Sequence, residues 1–144
     1  MQPRFTHILV PVDFSPGNRS ALDVAFELSV DNKARVSLLH VIEAIDTGDE
    51  PDEELRAFYD RMETRAWTEM DALAQRFTQA GQAIDQKVRT GKRAHVISEF
   101  ADEHNVDLIV MTSHTVDRRN PIQSLGTVSY KVSLLCSCSI MLVK

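Results

Sequence analysis

An α/β fold built on one doubly wound parallel sheet is what this sequence predicts, on three observations. Five runs of strand length recur along the chain. Four amphipathic stretches of helical period separate them. Most of the strand-like runs are continuously apolar, the pattern of strands covered on both faces. Such alternation implies right-handed crossovers and parallel pairing. With 144 residues, 43% hydrophobic and 26% charged, the chain suits one domain over residues 1–144 with a full core.

The first strand is Ile8-Leu9-Val10-Pro11-Val12, which stops at Asp13-Phe14-Ser15. In open α/β sheets ligands collect at the carboxyl ends of strands, so Asp13 marks the expected functional edge. The first helix, Asn18 to Asp31, sets Ala21, Leu22, Ala25, Phe26 and Ser29 on one face. Ser15 is its expected cap, with Pro16 at the first helical position. Arg35 to Ile42 is the second strand, and the acidic stretch Glu43 to Pro51 is a loop. Asp52 to Gly81 reads as a long helix with Leu55, Phe58, Tyr59, Met62, Ala66, Met70, Leu73 and Phe77 as its apolar stripe. Gly81 is its stop, and Met62, Trp67 and Met70 read as core or partner packing. The third strand, Ile84 to Thr90, alternates apolar residues with Asp85, Lys87 and Arg89, which suits a charged edge. Lys92 to His104 is the third helix and Asp107 to Met111 the fourth strand. Pro121 to Leu135 is the last helix, with Val128, Val132 and Leu135 inward, and Ser139 to Val143 closes the chain.

The formal net charge of -5 argues against nucleic acid or an acidic membrane as a main partner. The N-terminus lacks a secretory pattern, and no apolar run approaches the ~20 residues of a bilayer span, so the expected compartment is the cytoplasm. Two cysteines, Cys136 and Cys138, make no disulfide framework.

Several chemistries fail on spacing. Gly91-Lys92 lacks the upstream glycine of a phosphate-binding P-loop, since Gln86 stands there, and no GxGxxG follows a strand. The five histidines show no i, i+4 pair, and C-x-C alone is a weak metal signal. Ser113-His114 lacks the glycines of a nucleophile elbow. A phosphoryl-accepting receiver domain would need an aspartate after the third strand and a lysine followed by a helix after the fifth; Thr90-Gly91 and the terminal Lys144 stand there instead. What is left is the connection after the fourth strand, Met111-Thr112-Ser113-His114-Thr115 through Arg118-Arg119-Asn120-Pro121 to Gly126-Thr127-Val128. At the sheet's reversal point it could hold an anion on backbone N–H groups and hydroxyls, or be an ordinary polar loop.

In order and spacing these segments resemble the universal stress protein family. The first strand with Asp13, Leu38-Leu39-His40-Val41-Ile42, Val88-Arg89-Thr90-Gly91, Asp107 to Met111, Gly126-Thr127-Val128 and Cys138 to Val143 carry the resemblance. It implies sheet order 3-2-1-4-5 and a homodimer through the last strand. It also implies an adenine-nucleotide crevice formed by Pro11, Val12, Asp13, Val41, Thr112, Thr115, Gly126, Thr127 and Val128, with ATP or another adenine nucleotide as ligand and Mg²⁺ only alongside it. The chain departs from the family at Thr112 and Thr115, where nucleotide-binding members carry glycines, and its spacer Val116 to Leu125 is one residue longer. A β-branched residue resists both φ > 0 and close approach of phosphate, so the expected binding is weak. The expectation is a stress-response module without robust catalysis. Two alternatives remain: slow ATP hydrolysis with His114 as the candidate base, and a nucleotide-free dimer that presents the Asp52–Gly81 helix to an unidentified protein.

Overall fold

The computed structural model describes residues 3–45, 47–113, 119 and 127–144. Nine elements alternate among the described residues: β1 (His7–Pro11), α1 (Asn18–Asn32), β2 (Arg35–Glu43), α2 (Glu53–Gln79), β3 (Ile84–Gly91), α3 (Arg93–Glu103), β4 (Leu108–Thr112), α4 (Val128–Leu135) and β5 (Ser139–Val143). All strand pairs are parallel, in the order β3-β2-β1-β4-β5. This is the order the resemblance implied, with charged β3 at one edge.

Alternation along β1 divides the core in two. Ile8 and Val10 face α1 and α2, where they meet Ala21, Leu22, Met70 and Phe77. Leu9 faces α3 and α4, with Ile97, Phe100 and Val132. All three β1 residues are fully buried, and each such side chain contributes about 1.5–3 kcal/mol of burial.

The sheet splits at its centre. β1 pairs with β2 as far as Pro11 and Leu39, and the Val12 amide adds a last bond to the Leu39 carbonyl at 2.9 Å. With β4, β1 is registered only at Ile8↔Leu108 and Leu9↔Ile109. In a parallel strand, successive N–H groups point to alternate neighbours. The Val12 amide points to β2, so position 11 faces β4. Pro11 has no N–H to give. The rung that would carry β1–β4 pairing forward therefore has no donor, and the two strand ends part.

Several sequence expectations are corrected. Ser15 does not cap α1: Gly17 holds the N-cap position without a side-chain bond, and Ser15 belongs to a preceding turn. Asp52 does cap α2, accepting from the Leu55 amide at 2.8 Å, and Gly81 with φ 73° follows its end. Only the C-terminal half of the α2 stripe is buried, at Ala66, Met70, Ala74 and Phe77. Phe58, Met62 and Trp67 are exposed. The 27 residues of α2 span about 40 Å at 1.5 Å each, while the nine of β2 span only about 30 Å. The helix outruns the sheet that would cover it. Leu135 points outward rather than inward, and the expected helical start at Pro121 to Gly126 lies outside the described residues. β5 reads as a covered strand but is half open, with Met141 37% and Leu142 44% exposed, because no described strand pairs beyond it. Among the described residues no helix is long and apolar enough to cross a membrane.

The amino end of the sheet is closed by polar contacts. The Asp107 carboxylate accepts from the Thr6 amide and hydroxyl and from the His7 amide, at 2.8, 2.9 and 3.1 Å. The buried His7 ring lies 3.0 Å from the His104 carbonyl through Nδ1 and 2.6 Å from the Ser37 hydroxyl through Nε2. Ser37 in turn donates to Asp85, and the Arg35 guanidinium approaches Nδ1. Burial, aided by the Arg35 charge, lowers the His7 pKa from 6.5 against the opposing pull of the His104 carbonyl. The unfolded chain therefore binds the extra proton first. The stability this gives is complete above pH 6.5 and is lost as the pH falls below it, until the folded-state value is passed. Urea unfolding at pH 7.5 and 5.5 will show a steeper loss in the native chain than in His7→Gln; equal losses would remove His7 from the account.

Candidate functional site

The segment from Val12 to Asn18 builds the site. The Val12 carbonyl accepts from His40 Nδ1 at 2.8 Å. Phe14 adopts φ 65°, a left-handed conformation that disfavours a bulky residue by roughly 1–2 kcal/mol. Two features offset this. Asn18 Oδ1 accepts from both the Asp13 and Phe14 amides at 2.9 Å, and the Phe14 ring packs on His40 at 4.4 Å between centroids. The turn places Asp13 at the surface, where its Oδ1 accepts from the Ser15 amide at 2.9 Å. Partial burial works to raise the Asp13 pKa. The hydrogen bonds from the Ser15 side chain and amide, with the Arg93 charge, outweigh it and hold the carboxyl below its ordinary 3.8.

Where β1 and β4 part, a cavity of about 70 Å³ opens. Six of the sequence-predicted residues line it: Pro11, Val12, Asp13, Val41, Thr112 and Val128. β2 continues to Glu43, four residues past the last β1 partner, which leaves Val41 beside the opening. Ligand pockets commonly measure ~300–1,000 Å³, so a nucleotide-sized occupant must project beyond this cavity. Thr127 is not in the lining; its hydroxyl caps α4, accepting from the Tyr130 amide at 3.3 Å. Thr115 and Gly126, like His114 and Arg118, lie outside the described residues.

Thr112, whose hydroxyl is one of those that could hold an anion, has a partner for it within the chain. Its hydroxyl donates to the Gly17 carbonyl at 2.9 Å, across the crevice mouth. Its methyl fills the space a side chain at position 17 would need: a Cβ there would lie 3.0 Å from Thr112 Cγ2. Threonine at the end of β4 and glycine ahead of α1 therefore fit as a pair.

Sequence reasoning missed three contributors. Asn18 acts on the backbone amides of Asp13 and Phe14 in the turn before it, and His40 reaches across strands to the Val12 carbonyl. Arg93 also lines the cavity; in the sequence it is half of a short basic pair. The two cysteines are free thiols. Burial raises both pKa values, that of Cys138 to about 11, so neither is a thiolate at neutral pH. Among the described residues no cluster of His, Cys, Asp and Glu could hold a metal ion.

Gly17→Ala should lower stability by about 1–3 kcal/mol in urea unfolding. In a Thr112→Ser background, which keeps the hydroxyl and drops the methyl, the same change should have less than half that effect. Equal effects in both backgrounds would refute the pairing.

A model of the universal stress protein family matches residues 4–144. The chain is 28% identical to universal stress protein YxiE of Bacillus subtilis, across 97% of this chain and 99% of that one. The structure of universal stress protein UspA from Lactobacillus plantarum superposes with a TM-score of 0.76 at 22% identity, covering 98% and 99% of the two chains. A universal stress protein from Archaeoglobus fulgidus, solved in complex with dAMP, superposes with a TM-score of 0.66 at 21% identity, covering 97% and 98%.

Proposed function

The chain belongs to the universal stress protein family, and we propose that it works as a stress-response module that binds an adenine nucleotide in the crevice between β1 and β4. The observation that carries this reading is a fixed, ionised acceptor, Asp13, at an opening where the sheet itself comes apart beside Val41. One Asp13 oxygen is held by the turn, which orients the remaining lone pairs for a ligand donor. Val41 would read the base through its backbone, while Pro11, Val12 and Val128 supply apolar walls. Thr127 and Val128 open α4, whose N-terminus favours negative charge; Thr115 and Gly126 complete the proposed phosphate side. The dAMP complex of the Archaeoglobus fulgidus relative supports an adenine ligand. With the Thr112 hydroxyl committed to Gly17, that position contributes little to holding phosphate, and binding is weak. Mg²⁺ enters only with the phosphates. Binding rather than turnover is the proposed role, because a carboxylate held below its ordinary pKa is a poor general base.

Calorimetry with ATP and with AMP, in Mg²⁺, should give saturable heat in the native chain. Asp13→Ala should weaken the affinity by about tenfold or more, the loss of one charge-assisted hydrogen bond. Absence of heat at high micromolar protein would end the nucleotide reading; unchanged affinity in the variant would remove Asp13 from the site.

The open β5 edge supports a homodimer. A strand with Met141 and Leu142 exposed and no described neighbour on its outer side is a template for pairing with its copy. Sedimentation should find a dimer in the native chain and a monomer after Met141→Asp with Leu142→Lys. A dimer that survives both substitutions would place the interface elsewhere.

A further inference from the structure

Arg93 is a charge in the crevice wall that the reading above does not use. It is the first residue of α3, and its position depends on Gly91. Gly91 has φ 154°, and a Cβ there would lie 2.8 Å from Val96 Cγ2. Glycine is thus what lets the chain turn from β3 into α3 so tightly, and the turn brings Arg93 to the crevice wall.

Some of the other arginines have partners. Arg76 pairs with Asp23, Arg89 with Glu103, and Arg35 approaches His7. Arg93 is half-buried, yet it has no hydrogen bond or ion pair with any described residue. Its charge is felt at Asp13, which it helps keep ionised, but the two are not in salt-bridge contact. A cation partly withdrawn from water, with no partner among the described residues, is unfavourable. It fits a site whose missing partner is an anion brought by the ligand. Guanidinium is suited to this, since its planar fork matches phosphate oxygens.

The small cavity sets where that anion must be. Asp13 accepts a donor on the nucleoside side, and Arg93 stands at the same opening. Of a nucleotide's phosphates, the one bonded directly to the ribose lies nearest the nucleoside, so it is the anion a lining guanidinium would meet first. We propose that Arg93 is a specificity-determining residue of the crevice, donating to the phosphate nearest the ribose and so selecting phosphorylated adenine nucleotides over the nucleoside. This rests on the nucleotide reading above and adds to it the source of charge selection, on a residue outside the β4–α4 connection.

Calorimetry with AMP and with adenosine tests it on the native chain, Arg93→Gln and Arg93→Lys. AMP should bind the native chain about ten- to a hundredfold more tightly than adenosine, the range of a charge-assisted pair. Arg93→Gln should remove most of that advantage while leaving adenosine within about twofold of its native affinity, and Arg93→Lys should restore part of it. Retained adenosine binding also shows that the variant is folded. Equal native affinities for AMP and adenosine, an unchanged AMP affinity in Arg93→Gln, or an equal loss for both ligands would each overturn the assignment. If neither ligand binds the native chain, the nucleotide reading itself falls, and Arg93's role falls with it.

Discussion

A proline in the central strand removes a single amide, and the functional edge of this molecule follows from that loss. β1 is buried on both faces and paired on both sides, so its neighbours have no reason to separate except where a rung cannot form. Pro11 falls where the next donor to β4 would be. On the β2 side nothing is missing, and pairing runs to the end. Asymmetry between the two sides of one strand thus decides where the opening lies, without any large displacement of backbone.

The opposite end of the sheet shows the contrasting solution. Asp107 gathers three donors from Thr6 and His7, and Asn32 Oδ1 accepts from the Arg4 and Phe5 amides. His7, Ser37 and Asp85 link β1, β2 and β3 by a polar chain through the core. One end of the strands is stitched, the other is allowed to part. A buried polar network of this kind is costly if any member is unmet, which suits it to a region that does not need to change.

The order and type of the elements were legible in the sequence because each strand and helix carries its own period. β1, β2, β4 and α3 could be read from neighbouring residues alone, and their bounds shifted by no more than one position. What was not legible depends on geometry between distant segments. The open face of early α2 follows from the lengths of two elements compared, not from either pattern. An apolar run such as β5 looks the same whether it is covered or waits at an edge. At the site, Asp13 announced itself as a carboxylate closing a strand. Thr112 could be seen to replace a glycine, but that its hydroxyl goes to Gly17, 95 residues earlier, has no local signal. Arg93 was hidden for the same reason: only the turn at Gly91 carries it to the cavity.

The fit between Thr112 and Gly17 has a historical reading. Position 17 is helical in φ and carries no need for left-handed backbone, so by itself it could host alanine. The restriction comes wholly from the methyl group facing it. A lineage holding a larger residue at 17 could not have accepted threonine at 112 without strain, whereas one already holding glycine could. With threonine in place, a side chain at 17 meets that methyl so closely that one of the two must shift. The two positions therefore constrain each other's change: glycine ahead of α1 permits threonine at the end of β4, and a larger residue at 17 asks for a smaller one at 112.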